Sequence, residues 1–155
     1  MNREKLWQIL RSRCRNESDE TLALLIIKMY QESKVIIGKH AFSADLGVVQ
    51  GGVLSPMLFN VYLEEALGQS QKLRDMVNRG DLLAFADDML ILTNSKPEMT
   101  QAIQELESLN GVWNLRLNKA KSQVLTEDPS ADIAGIPCVT QVKYLGVPIC
   151  LDPKV

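Results

Sequence analysis

The stretch Leu82-Leu83-Ala84-Phe85-Ala86-Asp87-Asp88-Met89-Leu90-Ile91-Leu92 sets two consecutive carboxylates between two runs that are otherwise wholly apolar. Such runs, broken by a polar pair, read as two strands joined by a tight turn. Aspartate is a preferred turn residue, so an Asp-Asp turn taken alone carries no chemistry. The flanks alter that reading. Strands buried on both faces would hold the tip in a fixed place, and adjacent like charges repel unless a divalent cation lies between them. Mg2+ takes hard oxygen ligands and usually accepts one or two carboxylates beside phosphate and water. Phosphoryl transfer uses that ligand set, with metal ions stabilising the attacking and leaving oxygens.

Upstream lies Gly47-Val48-Val49-Gln50-Gly51-Gly52-Val53-Leu54-Ser55-Pro56. Paired glycines let a backbone approach a ligand closely, and a helix start offers unpaired N–H groups to phosphate. A tight turn into a helix is the commoner meaning of such a segment. It does not match GxxxxGK[ST], which excludes a P-loop. Ser55 is the expected N-cap and Pro56 the first helical residue, with the helix running through Met57, Leu58, Val61, Tyr62 and Leu67 as far as Asn78. Downstream, LRLNKAKS presents Lys119 and Lys121 just before an expected strand, and Lys143-Tyr144-Leu145-Gly146 reads as a strand ending in a glycine turn.

The remaining segments supply the frame. MNREKLWQILRSRCRN reads as a short helix with Leu6, Ile9 and Leu10 on one stripe. Its arginines also suit a mitochondrial transit peptide, but Glu4 and the lack of an obvious cleavage signal weigh against that. A helix over residues 19–33 is expected, capped by Ser18 and burying Leu22, Leu25, Ile26 and Met29. Residues 35–49 read as a hairpin, with His40 in its loop. Ser95-Lys96-Pro97-Glu98 forms a capping box opening a helix to about Leu109, which Gly111 stops. Residues 115–125 and 138–149 read as short strands. Helices mixed with returning strands give an α+β layered fold, and 155 residues suit one domain, residues 1–155.

Composition narrows the function. A hydrophobic fraction of 46% excludes a disordered tail, and no apolar run reaches the ~20 residues that a membrane-spanning helix needs. Three cysteines without a CxxC pair, and a single histidine, argue against a disulfide framework, a cysteine zinc site or a His-based nucleophile pair; a reducing compartment fits them. Net charge is −2, yet residues 1–44 carry 8 basic and 5 acidic side chains, so a basic footprint is confined to this first third, especially Arg3, Lys5, Arg11, Arg13 and Arg15.

Each segment is ambiguous singly, but their order is specific. QGGVLSPMLFN, then AFADD between apolar runs, then LNKAKS, then KYLG resembles the reverse transcriptase family, in its non-LTR retrotransposon and group II intron branch, over nearly the whole chain. The resemblance implies an RNA-directed DNA polymerase palm, an antiparallel sheet with helices on one face, plus a remnant of the fingers. It implies that Asp87 and Asp88 hold Mg2+ and that Lys121 protonates the leaving pyrophosphate. Gln50 and Gly51 would touch nucleotide and template, with Ser55 and Pro56 opening the helix behind them and Phe85 near the primer end. Tyr144, Leu145 and Gly146 match the primer-grip turn. RNA template and DNA primer are the implied partners.

In the family, a strand carrying another metal-binding aspartate precedes the segment resembling NREKLWQIL, and Met1 falls just after that point. The expectation is an incomplete palm whose hairpin edge is covered by another chain or segment, inactive alone. The alternative is a domesticated, non-catalytic subunit with a structural role in a larger protein or ribonucleoprotein assembly.

Overall fold

The computed structural model describes residues 1–37, 39–43, 47–49 and 51–151. The chain divides into two compact units, Met1–Gln69 and Ser70–Val155. It is α+β, as its patterning indicates.

In the first unit, α1 (Arg3–Ser12) is capped by Asn2, whose side chain accepts from the Lys5 N–H at 3.3 Å. It packs on α2 (Glu17–Gln31) and α3 (Ser55–Leu67) with Leu6, Trp7 and Ile9 buried. The cap of α2 is Asn16, not Ser18: its carboxamide oxygen accepts from the Asp19 N–H at 2.9 Å. The buried face of α2 is also turned from the expected one. Ala23, Ile26, Ile27 and Tyr30 are inside, whereas Leu22, Leu25 and Met29 are 57%, 55% and 55% exposed. This helix is apolar nearly all round from residue 22 to 30, so spacing alone does not select a face. Tyr30 selects it. Its ring meets Trp7 edge-on, with centroids 5.7 Å apart, and lies under the Arg3 guanidinium at 5.3 Å.

The strands β1 (Lys34–Ile37) and β2 (His40–Ser43) pair antiparallel, with His40 opposite Ile37 in the ladder rather than in the loop. Helix α3 stops at Leu67 instead of running to Asn78. Ser70 caps a separate helix, its hydroxyl accepting from the Leu73 N–H at 3.2 Å, because a side-chain oxygen there competes with continuation of the helix.

The second unit begins with that helix, α4 (Gln71–Arg79), and turns directly into the hairpin of β3 (Leu82–Phe85) and β4 (Asp88–Ile91). The Asp81 N–H donates to the Met76 carbonyl at 2.8 Å, and the Asp81 carbonyl accepts from the Leu92 N–H at 2.8 Å, which ties the hairpin base to the helix end. Helix α5 (Lys96–Trp113) starts at Ser95, which accepts from the Glu98 N–H at 3.3 Å. The Glu98 carboxylate accepts from Asn94, one residue earlier than a capping box requires. The helix continues through Gly111 and ends at Asn114, in the left-handed region at φ 49°.

Beyond α5, residues 115–118 carry no regular structure, and Lys119–Lys121 form a single 3-10 turn. Two residues of β5 (Val124–Leu125) pair parallel with β6 (Cys138–Val139), and β7 (Gln141–Tyr144) pairs antiparallel with β8 (Val147–Cys150). Ile103 of α5 packs there with Val124, Ile133, Ile136 and Cys138. None of Cys14, Cys138 and Cys150 is joined in a disulfide. Among the described residues the strands form four two-stranded ladders, where one antiparallel sheet was expected.

Candidate active site

The acidic hairpin sits in the second unit. Its two-residue turn is Ala86-Asp87, so Asp87 is in the turn while Asp88 opens β4 directly opposite Phe85. Directly paired residues share a face, which places Phe85 beside Asp88. The opposite face carries Leu82, the one fully buried residue of β3, towards α4. Expected burial on both faces is therefore absent: Leu83 and Phe85 are 49% and 64% exposed. The tip is held instead by its ladder and by the anchoring of Asp81 to α4. Ala86 takes φ 51°, a left-handed conformation costly for a residue with a Cβ, and this fixes where the following carboxylate projects.

Asp87 and Asp88 are both exposed, and neither carboxylate forms an ion pair or hydrogen bond among the described residues. Two adjacent, uncompensated hard-oxygen donors suit Mg2+ chemically. No group of three or more His, Cys, Asp or Glu placed to hold a metal occurs among the described residues.

The two lysines of LNKAKS have different environments. Lys119 donates to the Ala134 carbonyl at 2.8 Å and pairs with Glu107 at 2.6 Å, so it bridges α5 and the loop after β5. Lys121 is exposed and its ammonium forms no ion pair among the described residues. In the turn between β7 and β8, Leu145 and Gly146 both have positive φ, 48° and 88°. A type I′ hairpin turn requires that sign at both central residues, which explains glycine at the second. Leucine at the first is strained, and its side chain stands 51% exposed at the tip beside Tyr144.

The glycine-rich turn belongs to the first unit, and Gln50 lies outside the described residues. The two glycines after it do different work. Gly51 takes φ +80°, and a Cβ there would meet nothing within 4 Å, so it faces open space. At Gly52 a Cβ would lie 2.6 Å from Ser55 Oγ and 3.1 Å from the Val49 carbonyl oxygen. The close approach is thus to the chain's own serine. Ser55 is not the N-cap: that position is Leu54, and Ser55 and Pro56 form the first turn of α3. Ser55 is buried, and its hydroxyl donates back to the Val49 carbonyl at 2.5 Å. Tyr30, which patterning did not single out, reaches that hydroxyl at 3.0 Å. An apolar helix ending in a tyrosine, with an Arg and a Trp in the preceding helix, was the only signal in the sequence for it.

Part of the basic footprint is also internal. Arg3 is buried, donating through Nε to the Gly47 carbonyl at 2.7 Å and through Nη1 to the Tyr30 carbonyl at 3.3 Å. Arg13 bridges Glu64 and Glu65 at 2.9 and 3.3 Å, and the hydrogen bond it donates to Glu64 leads the upward shift of its pKa. Both arginines hold the fold rather than present free charge.

The family model described as reverse transcriptase (RNA-dependent DNA polymerase) matches residues 5–149, a span that includes the glycine-rich turn, the acidic hairpin, the lysine turn and the Leu145-Gly146 turn. No solved structure matches the chain. No helix among the described residues is long and apolar enough to cross a membrane. A match running through every one of the singled-out segments leaves one assignment: the chain belongs to the reverse transcriptase family.

Proposed function

We propose that this chain is the palm portion of an RNA-directed DNA polymerase of the non-LTR retrotransposon and group II intron type. Asp87 and Asp88 hold Mg2+, which neutralises charge on the phosphates and on the attacking and leaving oxygens when it is bound. A further metal-binding carboxylate comes from a segment or chain beyond these 155 residues. The observation that carries the reading is the acidic hairpin within the family match: a strained turn projecting two adjacent unpaired carboxylates, with Phe85 opposite the second.

The chain's own groups divide the work. Gly51 gives nucleotide and template a surface without side-chain obstruction, and Ser55 and Pro56 hold the backbone behind it. Lys121, exposed and unpaired, delivers a proton to the departing pyrophosphate. Phe85 supports the primer end beside Asp88, and Tyr144, Leu145 and Gly146 grip the primer strand. The hairpin is a two-stranded ladder among the described residues, and a completing strand or partner chain adds at its edge.

Primer extension on an RNA template, by the chain together with a segment supplying the further carboxylate, tests this. Extension that requires Mg2+ and disappears in Asp87→Asn supports it. Assembly without extension, indifferent to Asp87→Asn and Asp88→Asn, would instead establish a non-catalytic structural subunit.

A further inference from the structure

The hydroxyl chain behind the Gly51–Gly52 turn has a definite direction. Ser55 has one hydroxyl hydrogen, and it is committed to the Val49 carbonyl at 2.5 Å. The 3.0 Å contact between Tyr30 and Ser55 is therefore donated by Tyr30. The Val49 carbonyl also accepts from the Gly52 N–H at 3.0 Å, and Gly52 in turn accepts from the Ser55 N–H at 3.1 Å. On the near side of the turn, Arg3 holds the Gly47 carbonyl while stacking on the Tyr30 ring. Two side chains, Arg3 and Tyr30, thus fix the backbone on both sides of an open glycine. Hydrogen bonds in series polarise one another, and a turn already held in its bound shape binds without an ordering cost.

We infer that Tyr30 is a positioning residue for the nucleotide-facing turn, acting through Ser55 to set affinity for the incoming nucleotide without touching it. The inference rests on the polymerase reading above. Its role predicts a binding effect, since a relaxed turn weakens contact with the ligand and leaves the metal-holding carboxylates on another element unchanged.

The test is primer extension by the polymerase in its complete native assembly, with Tyr30→Phe, Ser55→Ala and the double variant. Tyr30→Phe should raise the KM for deoxynucleotide about three- to tenfold with kcat within about twofold, the effect of one lost hydrogen bond. Amide exchange at Gly52 should quicken while the middle of α3 is unchanged. Ser55→Ala should give a similar KM, and the double variant no further rise, because both remove one relay; Ser55→Ala also decides the matter if Tyr30→Phe fails to fold. A fall in kcat at constant KM, or additive effects, would overturn the relay. An unchanged KM, with extension still lost in Asp87→Asn, would overturn it while the polymerase reading stands. Absence of extension by the native assembly itself would remove both.

Discussion

The hydroxyls of Tyr30 and Ser55 meet at 3.0 Å across 25 residues of sequence, joining the end of α2 to the first turn of α3. Through Ser55 the same contact reaches the Val49 carbonyl, so the shape of the glycine-rich turn depends on a tyrosine in a helix well upstream of it. The motif is supported by the fold around it as much as by its own glycines.

Gly52→Ala should therefore damage the turn more than Gly51→Ala. The added Cβ at position 52 displaces the Ser55 hydroxyl, and overpacking of this kind costs about 1–3 kcal/mol. At position 51 only the left-handed backbone is penalised, by about 1 kcal/mol, with no collision. Urea denaturation of the two variants checks the order.

Lys119 and Lys121 stand two residues apart, yet the fold uses them differently. Lys119→Met removes the bond to the Ala134 carbonyl and the half-exposed pair with Glu107, and should cost about 1 kcal/mol. Lys121→Met should leave stability within about 0.5 kcal/mol and lower kcat by about tenfold to a hundredfold if it acts as general acid. Denaturation and single-turnover extension on both variants separate these roles.

How much of this was legible in the sequence depends on what fixed each feature. The acidic hairpin, the Ser95 cap and the hairpin of β1 and β2 follow local rules, because turn and cap chemistry is written in neighbouring residues. The face of α2 did not follow, since Leu22, Leu25 and Met29 make as good a stripe as Ala23, Ile26 and Tyr30. Only tertiary contacts of Tyr30 with Arg3, Trp7 and Ser55 choose between them. Ser55 was misplaced by one position for a related reason: its hydroxyl turns back to Val49 instead of capping α3, a choice set by Gly52 leaving room for it. The break of α3 at Gly68 falls in the polar stretch Gly68-Gln69-Ser70-Gln71, and it was missed because Leu73, Met76 and Val77 resume helical spacing beyond it.

Leu145→Asn should stabilise the second unit by about 0.5–1 kcal/mol, because asparagine tolerates the left-handed conformation that leucine adopts there at φ 48°. If the turn grips primer, the same change weakens primer binding. A gain in thermal stability coupled to a loss in extension identifies strain kept for function.

Asp128 provides a pH signature. The Ser130 hydroxyl, then the Ser130 N–H at 3.1 Å and Lys96 at 3.2 Å, hold its carboxyl down from 3.8 to about 2. A depressed folded-state value means the contribution to stability is present above pH 3.8 and is lost as the pH falls through about 2. An NMR titration should show that low midpoint in the intact chain, and Ser130→Ala should move it upward towards 3.8.

Everything proposed for this chain depends on Asp87 and Asp88 holding the metal of a polymerase. Mg2+-dependent primer extension on an RNA template, comparing the complete assembly with its Asp87→Asn variant at matched stability, tests it most directly. Asp87→Asn should lose extension on the order of a hundredfold or more, with the fold intact. Equal extension by the two proteins would contradict it.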